Sequence, residues 1–158
     1  MKYAVNIQGG FVRIRVAVKK DVVKISNLVK SLSHFYLKDQ KNELPEWFDK
    51  TLAQSEFLKR IEGSEYFNFV YENEGEIIGY IAMKRSSHLF HLFVSEKYQG
   101  KGLARELWGF ASNVCVSNIY TLRSSLYAVP VYRKFGFIES GVAGEIDGIG
   151  FQPMELRV

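Results

Sequence analysis

Gly100 and Gly102 flank Lys101 at the junction of two differently patterned segments. Before them runs an apolar stretch, residues 89–94; after them Leu103, Leu107, Phe110, Ala111 and Val114 recur at helical spacing. A helix entrance offers unpaired backbone N–H groups and the positive end of the helix dipole. Glycine lets backbone approach an anion that a Cβ would hold off. These residues are therefore read as a pyrophosphate cradle at the start of a helix over 100–117. The loop is not a Walker loop, because Leu103 follows Gly102, nor the dinucleotide fingerprint, because Arg105 stands where its third glycine would be. Taken alone, it fits an ordinary glycine-rich strand-to-helix turn equally well.

Other reactive side chains are sparse. No His, Cys, Asp or Glu cluster has metal-ligand spacing, so no metal is expected. Ser124-Ser125 lack the partners of a nucleophile triad. The lone Cys115 excludes an internal disulfide and falls among helical core positions, as a small buried apolar residue would.

The elements that must position the loop can be read in order. Val12, Ile14 and Val16 alternate with Arg13 and Arg15, giving a half-buried strand over 11–16. Asp21 is placed to cap a helix carrying Ile25, Leu28, Val29 and Leu32. After a polar loop at 38–44, Pro45 opens a second helix carrying Trp47, Phe48, Leu52, Phe57, Leu58 and Ile61, with Gly63 as its stop. His34, Phe35, Tyr36 and Trp47 either line a pocket or, for the aromatics, belong to the core. Strands at 67–71, 77–83 and 88–94, joined by short turns, make an antiparallel meander. Glu72 and Glu76 lie near its first turn and are expected in solvent. A strand at 119–122 follows the long helix and should lie parallel to the strand ending at Val94. Pro130 and Gly136 bracket a short helix. A strand begins at 137–138, and a last strand at 149–156 carries Pro153, which suggests a bulge or an edge.

Length and composition bound the answer. The chain has 158 residues, 47% apolar and 15% aromatic, which suits one domain over 1–158 with a real core and residues 1–10 as a loose leader or an extra edge strand. No apolar run is long enough to span a bilayer, and the first ten residues do not read as a signal peptide. A cytoplasmic location without membrane attachment is expected. The net charge is +4, but the basic residues are scattered, which argues against a nucleic-acid tail.

Gln99-Gly100-Lys101-Gly102-Leu103-Ala104 resembles the acetyl-coenzyme A loop of the GNAT (GCN5-related) N-acetyltransferase family. Ala128-x-x-x-Tyr132-x-Lys134-x-Gly136-Phe137 is similar to a second signature of that family, one strand after the cofactor helix. Residues 148–156 look like its closing strand, and Ile14-Arg15-x-Ala17-x-x-x-Asp21 like its first strand and helix cap. The resemblance covers about residues 11–158. It implies an α/β (α+β) GNAT fold: a mixed, mostly antiparallel sheet splayed between the fourth and fifth strands, with helices on both faces and acetyl-CoA in the cleft. It implies pantetheine along Leu92, Phe93 and Val94, pyrophosphate on Gln99, Gly100, Lys101, Gly102, Leu103, Ala104 and Arg105, and Ser125 and Tyr132 beside the cofactor. Many members have Asn where Arg123 stands; Arg123, Ser124 or Ser125 must then substitute for it.

The implied reaction is direct transfer of an acetyl group from acetyl-CoA to an amine, on a small molecule or a protein. The thioester oxygen needs backbone donors at the end of the fourth strand, and the leaving sulfur needs an acid, for which Tyr132 is the motif's candidate. His88 and His91 are candidate bases; strand alternation puts them on opposite faces unless a bulge intervenes. An acetyl-CoA-binding sensor without catalysis is the alternative. Dimers are common in the family, so a homodimer is an option.

Overall fold

The computed structural model describes residues 3–7 and 10–158, with side chains from Val12 onward. Met1, Lys2, Gln8 and Gly9, part of the expected leader, lie outside the described residues. The rest of that leader includes strand β1 (Tyr3–Ile7), antiparallel to β2 (Gly10–Val16). The meander follows as β3 (Tyr66–Asn73), β4 (Glu76–Lys84) and β5 (His88–Val94). Then come β6 (Ile119–Ser124), β7 (Ile138–Glu139), β8 (Gly144–Ile146) and β9 (Ile149–Arg157). The sheet order is β1-β2-β3-β4-β5-β6-β9-β7, with β8 also on β9. Among the described strands only β5 and β6 are parallel, and they pair only at His88↔Thr121 and Leu89↔Leu122. Beyond Leu89 the two strands part. Pro153 lies in β9 between the residues that pair with β8 and those that pair with β7, where a missing N–H costs no ladder bond.

Helices cover both faces. Helix α4 (Leu103–Val114) buries Leu103, Leu107, Trp108 and Phe110 against Phe69, Ile78, Ile81 and Met83. It is shorter than the expected 100–117 because Gly102, at φ 86°, is its N-cap and Cys115 leaves helical geometry. A Cβ on Gly79 would sit 2.8 Å from Leu107 Cδ1, so this glycine lets α4 lie close on β4. On the other face, α1 (Val22–Leu32) buries Ile25, Leu28, Val29 and Leu32 against Val70, Tyr80 and Phe93.

The single helix expected from Pro45 is two: α2 (Glu46–Thr51) and α3 (Gln54–Glu62). The break puts Leu52 fully into the core. The carbonyls it frees are satisfied: Arg60 donates to Thr51 O at 2.8 Å and Ser26 to Leu52 O at 3.1 Å. The last helix is α5 (Val129–Lys134).

Two acidic residues differ from expectation. Asp21 does not cap α1 through its side chain; it accepts from Val18 N–H at 2.8 Å and from both terminal nitrogens of Arg15 at 2.7 and 2.9 Å. Glu72 is not solvated: its side chain is 14% exposed and accepts from Arg15 and Arg13. One guanidinium thus ties β2 to both the start of α1 and β3.

Candidate active site

A cavity of about 410 Å³ lies where β5 and β6 part. Its walls come from the end of α1 and the turn after it, from β5, from the loop before α4, and from residues 123–135. A bulge shapes the β5 wall. Ala82 pairs with His91 and Met83 with Leu89, leaving Phe90 as an extra residue. The bulge resets the alternation of side chains. Leu89 and Val94 join the α4 core with Leu92 packed beside them, while Phe93 joins the α1 core.

The gap edge of β5 follows from its hydrogen bonds. Ser95 N–H donates to Ile78 O on β4 at 2.8 Å. By period-two alternation the backbone groups of Phe93 also face β4, and those of Leu92 and Val94 face the gap. The Val94 carbonyl accepts from the Gln99 side chain at 2.9 Å. Gln99 therefore braces the strand end, and the Leu92 N–H and C=O are the backbone pair left facing the cavity.

The loop at one end turns on two glycines. Gly100 and Gly102 hold φ values of 75° and 86°, which L side chains rarely adopt. Gly102 provides no capping side chain, so the N–H groups of Leu103, Ala104 and Arg105 are available. Gln99, Gly100, Gly102, Leu103, Ala104 and Arg105 all line the cavity. Lys101 does not: it is exposed and its ammonium lies 5.6 Å from the centre of the Tyr98 ring. Arg105 donates to Lys134 O at 3.0 Å, linking the loop to α5.

On the facing wall, Tyr132 lines the cavity and is 7% exposed. Burial pushes its phenol above its ordinary range, so it stays protonated. Ser125 also lines the cavity, and its Oγ accepts from Ala128 N–H at 3.2 Å. Arg123 lines the cavity and rests 4.0 Å from the centre of the Phe151 ring.

Neither histidine lines the cavity. The bulge puts both on the α1 face, not on opposite faces. His88, where β5 and β6 still pair, makes a 2.8 Å bond to Thr121 Oγ1; burial, with Lys84 and Arg123 nearby, lowers its pKa. His91 is buried, with Nε2 3.3 Å from Arg60 Nη1, and burial and the Arg60 charge push its pKa down to about 3. Tyr80, its ring centre 6.1 Å from that of His91, is a core residue whose hydroxyl donates to Asn68.

Of the early aromatics, Phe35 and Tyr36 line the cavity, while His34 packs on Phe35 and Trp47 donates to Asp147 at 2.8 Å. Sequence reasoning missed Phe90, Tyr98 and Tyr127 as lining residues. Tyr127 adjoins the motif at Ala128, which was the available signal; Phe90 depends on the bulge and left none.

A family model, described as an acetyltransferase (GNAT) domain, matches residues 36–158. The chain belongs to the GNAT acetyltransferase family. Its fold agrees: the PaiA N-acetyltransferase of Thermoplasma acidophilum, solved with coenzyme A, superposes with a TM-score of 0.75 at 17% identity, over 93% of this chain and 99% of that one. YncA of Salmonella typhimurium, solved with acetyl-CoA, gives 0.69 at 20% identity over 92% and 93%. In sequence, the spermidine N(1)-acetyltransferase of Escherichia coli (strain K12) is 32% identical over 95 residues, 52% of this chain and 51% of that protein. The chain thus spans about half the length of that relative. Among the described residues of this GNAT chain, no helix is long and apolar enough to cross a membrane, and no group of three His, Cys, Asp or Glu could hold a metal ion.

Proposed function

We propose that this GNAT family member transfers an acetyl group from acetyl-CoA to a primary amine by direct attack. The observation that carries the reading is the cavity itself. It joins an anion-binding helix entrance, a strand edge with free backbone groups, and a buried tyrosine, all in one wedge between β5 and β6. The similarity to a spermidine N(1)-acetyltransferase supports an amine acceptor, and the structural relatives solved with coenzyme A or acetyl-CoA support the donor.

The N–H groups of Leu103, Ala104 and Arg105 bind the pyrophosphate, and the Leu92 backbone holds the pantetheine arm and offers an N–H to the thioester oxygen as it gains charge. The amine nitrogen bonds to the carbonyl carbon; the carbon–sulfur bond breaks; the sulfur takes a proton from the Tyr132 hydroxyl, which regains one from the water that receives the amine's proton. The described lining residues include no His, Asp or Glu, so the amine gives its proton to water rather than to a side chain. That same feature favours a second reading, an acetyl-CoA sensor without catalysis.

Calorimetry with acetyl-CoA and thiol release across an amine panel test both. Binding with turnover supports transfer; binding with no turnover supports the sensor; absence of binding at millimolar acetyl-CoA removes both. If water takes the proton, the rate rises with pH along the acceptor's own titration and keeps that profile in His88→Ala.

A further inference from the structure

We infer that the acceptor end of the cavity takes an amine that also bears a carboxylate on a flat apolar body, such as an aromatic α-amino acid, and that Arg123 binds the carboxylate. The inference rests on the acetyl-transfer reading above. It begins with charge. The ionisable groups on the described lining, apart from tyrosines, are Arg105, Arg123 and Lys134, with no acid among them. Arg105 and Lys134 are joined to each other and belong to the phosphate loop and α5.

Arg123 belongs to the other end. On β6, Tyr120 and Leu122 are buried in the α4 core, so Thr121 and Arg123 project to the opposite face. Thr121 meets His88 there. On that side the turn after α1 supplies Phe35, stacked on Tyr127 with centroids 4.4 Å apart and planes 22° from parallel. Stacked on each other, these two rings give that side of the cavity an aromatic wall.

Arg123 is exposed and pairs with no carboxylate among the described residues; its guanidinium lies over the Phe151 ring. A stacked guanidinium keeps its in-plane N–H donors free, which is the fork that binds a carboxylate through two bonds. The acids of the β8–β9 hairpin are occupied: Glu145 pairs with Lys38 at 3.3 Å, and Asp147 accepts from Trp47. A polycation would meet Arg123 with no lining acid to offset it, whereas an amino acid would place its carboxylate on Arg123 and its side chain on the aromatic wall.

The test pairs acceptors that differ only in the carboxylate: phenylalanine against phenethylamine, and tryptophan against tryptamine, with spermidine as the polycation. Thiol release is measured at saturating acetyl-CoA. The amino acid should exceed its decarboxylated partner about 10- to 100-fold in kcat/KM, and Arg123→Gln should lower that ratio by a similar factor, the range expected for charge-assisted hydrogen bonds. Preference for spermidine or for the decarboxylated amines overturns the inference. So does a weaker acetyl-CoA Kd in Arg123→Gln with the ratio unchanged, which would assign Arg123 to the cofactor.

Binding of N-acetylphenylalanine, the product, is read separately by calorimetry. If no amine is turned over, or acetyl-CoA fails to bind, the transfer reading falls; N-acetylphenylalanine binding that is lost in Arg123→Gln still supports the carboxylate site, and absence of that binding overturns it.

Discussion

Arg60 places its Nη1 3.3 Å from Nε2 of His91, and both side chains are buried, with no carboxylate among the described residues paired to the guanidinium. The arginine is held by other means: it donates to Thr51 O and its guanidinium lies about equally far, 5.0 and 5.1 Å, from the Phe57 and Phe90 ring centres. For Arg60 to donate to Nε2, His91 must carry its proton on Nδ1 and stay neutral. The pair therefore pins the bulged residue Phe90, and with it the β5 wall, while removing His91 from proton transfer.

The pair predicts a pH dependence of stability. His91 has a folded pKa of about 3, below the unfolded value of about 6.5, so the unfolded chain binds the extra proton. The contribution is complete above about pH 6.5 and is lost as pH falls towards 3. His91→Gln keeps an acceptor for Arg60 but cannot be protonated. Its melting temperature should fall less between pH 7 and 4.5 than that of the native protein, by about 5 °C. Parallel curves for the two proteins would reject the titration.

The Arg15 knot gives a prediction on a second site. Burial alone would raise the Asp21 carboxyl, but hydrogen bonds from Arg15 and Val18 N–H hold it below its ordinary range. Arg15→Met leaves Asp21 and Glu72 without their shared cation and should destabilise the protein by on the order of 3 kcal/mol. Urea unfolding at pH 7 measures this, and adding Asp21→Asn should recover part of the loss. A double variant no more stable than the single one would contradict the account.

Gly102 separates conformation from charge. Gly102→Ala puts a Cβ into open space but at φ 86°, and should cost about 1 kcal/mol of stability from backbone strain. Gly102→Asp adds a negative charge at the helix entrance and should weaken acetyl-CoA at least tenfold beyond the alanine variant. Equal dissociation constants for the two variants in calorimetry would remove the loop from phosphate binding.

These contrasts show where sequence was sufficient. Glycines at 100 and 102, the helical spacing after them and the apolar run before them are local signals, and the structure places a strand, a loop and a helix on them. The parallel pairing of 119–122 with the strand before the loop follows from chain connectivity. What sequence lacked was register. Phe90 is extra only because Met83 pairs with Leu89, and that pairing is a property of two strands. The same holds for Glu72, which reads as a turn residue until β2 brings Arg15 beside it. The break at Leu52 depends on Arg60, nine residues beyond Thr51, and Ser26, distant in sequence, taking the freed carbonyls.

Tyr132 bears the sharpest test of the chemistry. Its ring lies in the α4 core beside Phe135 and Phe137, while the residue lines the cavity. Its hydroxyl makes no hydrogen bond to the described residues, and burial keeps it protonated, so it is free to donate to a sulfur leaving the thioester. Tyr132→Phe keeps the ring and its packing and removes only the donor. Acetyl-CoA affinity should change little, and the turnover number should fall on the order of ten- to a thousandfold, as for loss of a general acid or a transition-state donor. The measurement is turnover beside the acetyl-CoA dissociation constant in both proteins, with an acceptor whose chemistry limits the rate. A phenol that only packs would leave turnover unchanged in the variant, and the proton for the sulfur would then have to come from water.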